Sequence, residues 1–219
     1  MNFIFANIDT IAIAVWLAFF VLVVVRTLRP ALVKNVSYKL FVGLALGLYL
    51  LYGVVATWGQ YRAWATSSDI SRALLASPLT SEVPFPSYLE WTRPLFDHTH
   101  GYFWFYSFQH FFLSTIALII IVGLFLLFLV VRSRTHPINF REGDIMLIVL
   151  AMLISGWPGV IVLLPIGLVS AILLSIVARI FYGIDRITLP PAFLLAAPFA
   201  LIFATPILTA IHLSSILKL

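Results

Sequence analysis

The four residues Arg141-Glu142-Gly143-Asp144 are the strongest candidate for chemistry in this chain. They stand between a basic segment and a long apolar run, so Asp144 lies at the N-terminal end of a predicted membrane helix. An ionisable side chain is costly near a bilayer, and such a residue is by default a candidate functional site. A carboxylate can act as a general acid or base when a second carboxylate shares its proton. Asp144 is therefore the candidate catalytic residue.

A second group of candidate residues, Asp97, His98 and His100, precedes the third apolar run, and His110 lies within that run. In an extended segment, His98 and His100 would point to the same face. Together with His110, and with Asp97 as a further ligand, they would suit zinc or copper. Neutral imidazoles also suit haem ligation or a proton or quinone pathway. The spacing matches no named metal motif, and the competing interpretation is a structural role at the membrane interface.

The composition predicts the environment in which these residues work. Of the 219 residues, 63% are hydrophobic and 10% are charged, whereas soluble domains are about half apolar and a quarter charged. We therefore predict one polytopic membrane domain over residues 1–219. The absence of cysteine excludes disulfides, thiolate metal sites and cysteine nucleophiles. The net charge of +5 is attributed to topology rather than to nucleic-acid binding.

Six apolar runs predict six transmembrane helices, since about 20 apolar residues cross a bilayer core of about 30 Å. The runs are Ile11–Val25, Leu40–Trp58, Trp104–Val131, Ile145–Ser155, Val160–Phe181 and Pro191–Leu213. The fourth run is short and ends at the breaker cluster Ser155-Gly156-Trp157-Pro158-Gly159. This cluster predicts a tight turn that joins the fourth and fifth runs into a helical hairpin.

The distribution of basic residues predicts the orientation of the helices. Lys and Arg collect in every second loop, and such loops face the cytoplasm. These residues are Arg26, Arg29, Lys34 and Lys39; Arg132, Arg134 and Arg141; and Arg179 and Arg186. We therefore predict an all-α integral protein of the cytoplasmic (inner) membrane. Its two termini and one long loop of about residues 59–103 would lie outside.

The long outer loop combines one short predicted helix with many aromatic residues. Ser67-Ser68-Asp69 predicts a capped helix through about Ala76, and four proline residues are then expected to break regular structure. Eight aromatic residues approach the third run: Tyr88, Trp91, Phe96, Tyr102, Phe103, Trp104, Phe105 and Tyr106. They would form either a surface that binds partner proteins or an aromatic belt at the lipid headgroups.

The segment 141–205 resembles the second half of the type IV prepilin peptidases, a family of membrane aspartyl proteases. The resemblance rests on Gly143-Asp144, Gly156-Trp157, small residues in the returning helix, a basic loop, and Leu189-Pro190-Pro191, in that order. It implies six membrane helices and a catalytic aspartate at the position of Asp144, on the cytoplasmic side. This chain differs from the family motif Gly-x-Gly-Asp, because Arg141 stands in place of the first glycine.

The resemblance also implies a second catalytic aspartate, just before a basic loop that contains proline. In this chain the residues ahead of Arg26 are Val23, Val24 and Val25. Asp9 would lie about 20 Å away at the opposite end of the same helix. Asp185 is the remaining candidate partner of Asp144. The alternative structural role of Asp144 is an acid in the first helical turn, stabilised by the helix dipole or by Arg141.

The sequence contains no Walker motif, no dinucleotide fingerprint, no Gly-x-Ser-x-Gly elbow and no His-Glu-x-x-His. The leading prediction is a non-catalytic membrane subunit or accessory protein on a prepilin-peptidase-like core. It would contact the lipid bilayer and other membrane proteins. The alternatives are a membrane enzyme or redox subunit with a metal or cofactor at the outer histidines, and an active peptidase that uses Asp144.

Overall fold

The computed structural model describes residues 5, 7–31, 36–80, 83–135, 142–183 and 189–213. Within these ranges every regular element is a helix. The elements are α1 (Ile8–Leu28), α2 (Tyr38–Thr66), α3 (Asp69–Ala76), a 3₁₀ helix (Ser87–Phe96), α4 (Gly101–Ser107), a π-helix (Phe108–Phe112), α5 (Leu113–Thr135), α6 (Glu142–Ser155), α7 (Gly159–Tyr182) and α8 (Leu189–Ala210).

Five helices are long and apolar enough to cross a membrane. They are α1, α2, the continuous helix Gly101–Arg134, α7 and α8, and they have between 21 and 34 residues. The prediction of an all-helical chain with several potential membrane spans is thus confirmed for the described residues. The fourth predicted run forms α6, which has only 14 residues. At 1.5 Å per residue it is about 21 Å long, shorter than a bilayer core of about 30 Å.

The chain forms two compact units. The core unit comprises residues 7–49 and 115–218, and the loop unit comprises residues 1–6, 50–114 and 219. Helices α2 and α5 each contribute residues to both units. The core unit contains the predicted catalytic residue, and the loop unit contains the predicted metal ligands.

Helix α6 forms the centre of the core unit. Ile145 and all residues from Leu147 to Ser155 are buried, so α6 is enclosed by protein along almost its whole length. Its main neighbour is α8, whose buried face contains many small residues. The buried alanines of α8 are Ala192, Ala196, Ala197, Ala200 and Ala204. Small side chains allow two helix backbones to approach closely, which is how membrane helices pack without a hydrophobic driving force.

Helix α8 also packs closely against α7. A Cβ atom on Gly167 would lie 2.9 Å from Cδ1 of Phe193, so only glycine allows the ring to pack there. A Cβ atom on Gly159 would lie 3.3 Å from the carbonyl oxygen of Ala200. Both α6 and α7 therefore pack along α8, more extensively than they pack on each other.

Tyr49 of α2 holds the end of α6. Its hydroxyl donates a hydrogen bond of 2.6 Å to the carbonyl oxygen of Leu153. Leu153 lies in the last turn of α6, where carbonyl groups lack the usual partner within the helix. The ring of Tyr49 packs 4.6 Å from that of Trp16 in α1. Gly156 then turns the chain with a φ of 66°, and the predicted turn between the fourth and fifth runs is confirmed.

Replacing Tyr49 with phenylalanine tests this contact. We expect Tyr49→Phe to destabilise the protein by about 1–2 kcal/mol, because it removes a partly buried hydrogen bond but keeps the ring. The change is measured by unfolding in detergent micelles. Tyr61→Phe, in the same helix but with a residue that is 43% exposed, serves as the matched control and should cost less. Equal losses in the two variants would contradict the role assigned to Tyr49.

The loop unit begins with the short helix α3, which the sequence predicts correctly. The Ser68 side chain accepts a hydrogen bond of 3.2 Å from the backbone N–H of Ser71, and the helix ends at Ala76. The chain after Pro78 differs from the expected irregular structure, because Ser87–Phe96 forms a 3₁₀ helix that includes Pro94. The fixed φ of proline suits this conformation.

Arg93 connects the 3₁₀ helix to the segment before it. Its Nε donates a hydrogen bond of 2.6 Å to Oε1 of Glu90, and its Nη1 donates one of 3.1 Å to the carbonyl oxygen of Thr80. The guanidinium also lies 4.9 Å from the ring centre of Phe85. These contacts hold two parts of the loop unit together across 13 residues.

We expect Arg93→Gln to destabilise the loop unit by about 1–2 kcal/mol, because one hydrogen bond to backbone and one cation–π contact are lost. Faster proteolysis within residues 77–100, with α7 and α8 remaining intact, would report this. The matched control is Arg72→Gln, because Arg72 pairs with Asp69 on the surface, where their side chains are 62% and 94% exposed. Exposed pairs contribute little, so similar proteolysis in both variants would contradict the prediction.

Candidate functional site

Asp144 lies in the first turn of α6, at the same end of the core unit as Arg26. Gly143, one residue earlier, faces the ring of Tyr38, and a Cβ atom added to it would lie 3.5 Å from Cε2 of that ring. Asp144 is half-buried and takes part in interactions of its own. A carboxylate in the first turn of a helix is stabilised by the helix dipole.

An open pocket of about 350 Å³ lies beside this turn. It is lined by Arg26, Ser37, Tyr38, Lys39, Gly143 and Met146. These lining residues come from the end of α1, the start of α2 and the start of α6. The pocket thus combines two cations and two hydroxyl groups with one apolar side chain.

Arg26 is held in place at this pocket. Its Nε donates a hydrogen bond of 2.9 Å to the carbonyl oxygen of Val36. Its guanidinium lies 5.4 Å from the ring centre of Tyr38, and the Tyr38 hydroxyl is 3.4 Å from Oγ1 of Thr27. The Arg26 side chain therefore has one orientation, and the bond to Val36 uses one of its five N–H donors.

A second acid near Asp144 would be needed for aspartyl proteolysis. The resemblance implies that acid among the three residues ahead of Arg26, where Val23 is fully buried in the core and Val24 and Val25 are half-buried. Asp9 lies in the first turn of α1, 17 residues before Arg26, which corresponds to about 25 Å along a helix. Arg141 and Asp185 lie outside the described residues, as does the side chain of Glu142. The pairing of Asp144 with Asp185 therefore stays a prediction.

The histidine group lies in the loop unit, and the hydrogen bonds described for His100 and His110 both go to backbone carbonyl oxygens. Nδ1 of His100 lies 2.6 Å from the carbonyl oxygen of Leu75, in the last turn of α3. Nδ1 of His110 lies 2.9 Å from the carbonyl oxygen of Tyr106, and its ring stacks on the Tyr106 ring at 3.9 Å. These bonds explain the two histidines as parts of the local structure.

The structure does not bring Asp97, His98, His100 and His110 together. No group of three His, Asp or Glu side chains among the described residues is arranged to hold a metal ion. The local backbone determines where the rings of His100 and His110 lie. His100 has a left-handed φ of 72° just before α4, and His110 lies in the π-helix that follows α4. The predicted zinc or copper site therefore stays a prediction that this geometry does not support.

The large apolar side chains of the loop unit divide into a packed set and an exposed set. Phe103 and Phe105 are buried, and the Phe105 ring packs 4.7 Å from that of Phe85. In contrast, the side chain of Trp91 is 78% exposed and that of Leu95 is 67% exposed. The buried set explains how the loop unit folds, while the exposed pair provides a surface for contact with lipid or protein.

Sequence reasoning missed the pocket at Arg26, because it used Arg26 and Lys39 only to orient the helices. The available signal was a basic residue in the last turn of α1 and a second basic residue in the first turn of α2. Short connections between helices bring such ends together. The contribution of Gly143 from α6 had no signal in the local sequence, because more than 100 residues separate it from Lys39.

No protein-family model, no curated protein and no solved structure shows significant similarity to this chain.

Proposed function

We propose that this chain is a non-catalytic subunit of a membrane complex, built on a prepilin-peptidase-like core, that contacts its partner proteins through the loop unit. The observation that carries the proposal is the burial of Val23 at 0% exposure. Asp144 has the position of one catalytic aspartate in the resemblance, whereas three valines, of which Val23 packs in the core, occupy the region of the other. A single carboxylate cannot share a proton as the two-acid mechanism requires.

The proposed topology has six spans in the cytoplasmic membrane, with both termini outside. Its support is the position of the cations at helix ends. Arg26 lies in the last turn of α1, Arg132 and Arg134 in the last turn of α5, and Arg179 in the last turn of α7. Basic residues favour the cytoplasmic side. The short helix α6 would count as the fourth span, because its burial removes the need to match the lipid thickness.

The proposed partner surface contains Trp91 and Leu95. Both side chains belong to a 3₁₀ helix that Arg93 attaches to neighbouring backbone, so the exposed pair is presented on an ordered segment. Aromatic side chains on a rigid surface lose little conformational entropy on binding and are enriched among the residues that dominate interface energies. This feature supports a protein partner over a purely lipid-facing belt.

Site-specific photo-cross-linking tests the partner surface. A photoreactive phenylalanine analogue at position 91 should give one defined protein adduct in intact membranes, and Leu95→Glu should abolish it. The same analogue at position 69 is the matched control, because Asp69 is also highly exposed in the loop unit. Lipid adducts alone at position 91, or equal protein adducts at both positions, would overturn the proposed partner surface.

A separate assay tests the absence of proteolysis. The purified chain and its Asp144→Asn variant are incubated in bilayers with a pilin-like substrate that carries a cleavable leader. We expect no cleavage by either protein. Cleavage by the unmodified chain that disappears in Asp144→Asn would overturn the non-catalytic assignment and leave Asp185 as the first candidate for the second acid.

A further inference from the structure

We propose that the pocket between the ends of α1, α2 and α6 binds the phosphate group of an anionic membrane lipid. Its lining combines a guanidinium, an ammonium, two hydroxyl groups and one apolar side chain. Phosphate is recognised by positive charges together with N–H and O–H donors. The proposal rests on this pocket and on the proposed membrane topology, and it is independent of the partner surface in the loop unit.

Arg26 is the principal phosphate ligand in this proposal. The bond from its Nε to Val36 and the nearby Tyr38 ring hold the guanidinium at the pocket. A side chain that is already fixed loses little conformational entropy when a ligand binds. Guanidinium also pairs with phosphate through two parallel N–H bonds, which gives Arg26 a geometric fit that a mobile surface cation lacks.

The other lining residues complete a site for an anion. Lys39 adds a second positive charge, and Ser37 and Tyr38 add hydroxyl groups. Lys39 and Asp144 each have interactions of their own. The Asp144 carboxylate, adjacent to Gly143, opposes anion binding and would limit the affinity.

The position of the pocket relative to the bilayer indicates that the phosphate belongs to a lipid. Helix α1 has 21 residues, which corresponds to about 32 Å and matches a bilayer core of about 30 Å. Arg26 lies two residues before the end of that helix and therefore at headgroup level. Basic pockets between membrane helices on the cytoplasmic side are typical sites for anionic headgroups. The Met146 side chain would then contact the start of an acyl chain.

Native mass spectrometry of the purified protein tests the proposal. Phosphatidylglycerol is compared with phosphatidylcholine of the same acyl chains, because the two lipids differ in headgroup charge. We expect selective retention of phosphatidylglycerol by the unmodified protein. One Lys or Arg near a membrane surface contributes about 1 kcal/mol, or roughly a fivefold change. Retention should fall about fivefold in Lys39→Gln and more in the double variant with Arg26→Gln.

Two further variants separate binding from folding. Met146→Trp fills the pocket and leaves its charges unchanged, so it should also release the lipid. Asp144→Asn removes the opposing charge and should increase retention about fivefold. A purely structural role of these residues would not produce opposite effects. Each variant must keep its α-helical circular dichroism. If the double variant fails to fold, the single variant Lys39→Gln still tests the proposal, because it leaves the Arg26–Val36 bond intact.

The matched control is Arg132→Gln with Arg134→Gln, which removes the same charge from exposed positions in the last turn of α5. This control should retain phosphatidylglycerol almost unchanged. Equal loss in the control, or equal retention of the two lipids by the unmodified protein, would overturn the proposal. Displacement of phosphatidylglycerol by millimolar inorganic phosphate would show that the pocket binds a soluble phosphate, and it would overturn the proposal that the phosphate belongs to a lipid.

Discussion

Gly101→Ala should destabilise the loop unit by about 3 kcal/mol or more. A Cβ atom at position 101 would lie 1.6 Å from the carbonyl oxygen of Phe96 and 3.2 Å from the backbone nitrogen of Leu79. Both atoms belong to the backbone, so no side-chain rotation can relieve the overlap. The same groups form the hydrogen bond from the Leu79 N–H to Phe96, which is 3.2 Å long. Relief of the overlap would therefore also break that bond.

The consequences of Gly101→Ala should be local. Trp64 packs against Tyr102 at a ring distance of 6.0 Å, so tryptophan fluorescence and proteolysis of the loop unit report the change. Gly123→Ala in α5 is the matched control, because nothing lies within 4 Å of its Cβ position. It should leave stability unchanged or raise it by up to about 1 kcal/mol, since alanine favours a helix. A stable Gly101→Ala protein would show that this close backbone approach is absent in solution.

Val23→Asp should destabilise the core unit by about 3 kcal/mol or more and should not create peptidase activity. Val23 is fully buried and belongs to the same apolar core cluster as Phe19 and Ile148. A charged carboxylate there would lose its hydration, and the nearby Arg26 is already bonded to the carbonyl oxygen of Val36. The loss is measured as unfolding in detergent micelles.

Val23→Asn is the matched control for Val23→Asp, because it has nearly the same shape but no charge. It should cost about 1–3 kcal/mol as a buried polar group, less than the aspartate. Equal costs would show that the site admits water or a cation. A folded Val23→Asp protein that cleaves a pilin-like substrate would contradict this prediction and would show that Asp144 is already positioned for catalysis.

The local sequence was sufficient to predict several elements because short-range physics determines them. Apolar runs of about 20 residues predicted the long helices, and Ser68 predicted the start of α3 through its side-chain hydrogen bond. Gly156 predicted the turn after α6, because glycine adopts a positive φ without steric cost. Each of these features depends on residues within one or two turns of the chain.

The contacts that define the candidate sites could not be predicted in the same way. Tyr49 bonds to Leu153 across 104 residues, and nothing near either residue in the sequence indicates the other. The pocket likewise joins Arg26 and Lys39 to Gly143 of a distant helix. For His100, the sequence left a metal ligand and a structural role both open, and the structure shows a bond to the backbone of Leu75.

The sequence by itself determined that this chain is helical, that most helices can cross a membrane, and where several of them begin and end. Only the tertiary structure decided which apolar faces meet protein, and above all that α6 lies at the centre of the core unit. The physical reason is that lipid chains are as apolar as a helix interface. A residue that contacts lipid and a residue that packs against protein therefore look alike in hydropathy, and only the packing separates Leu150, at 0% exposure, from Leu168, at 53%.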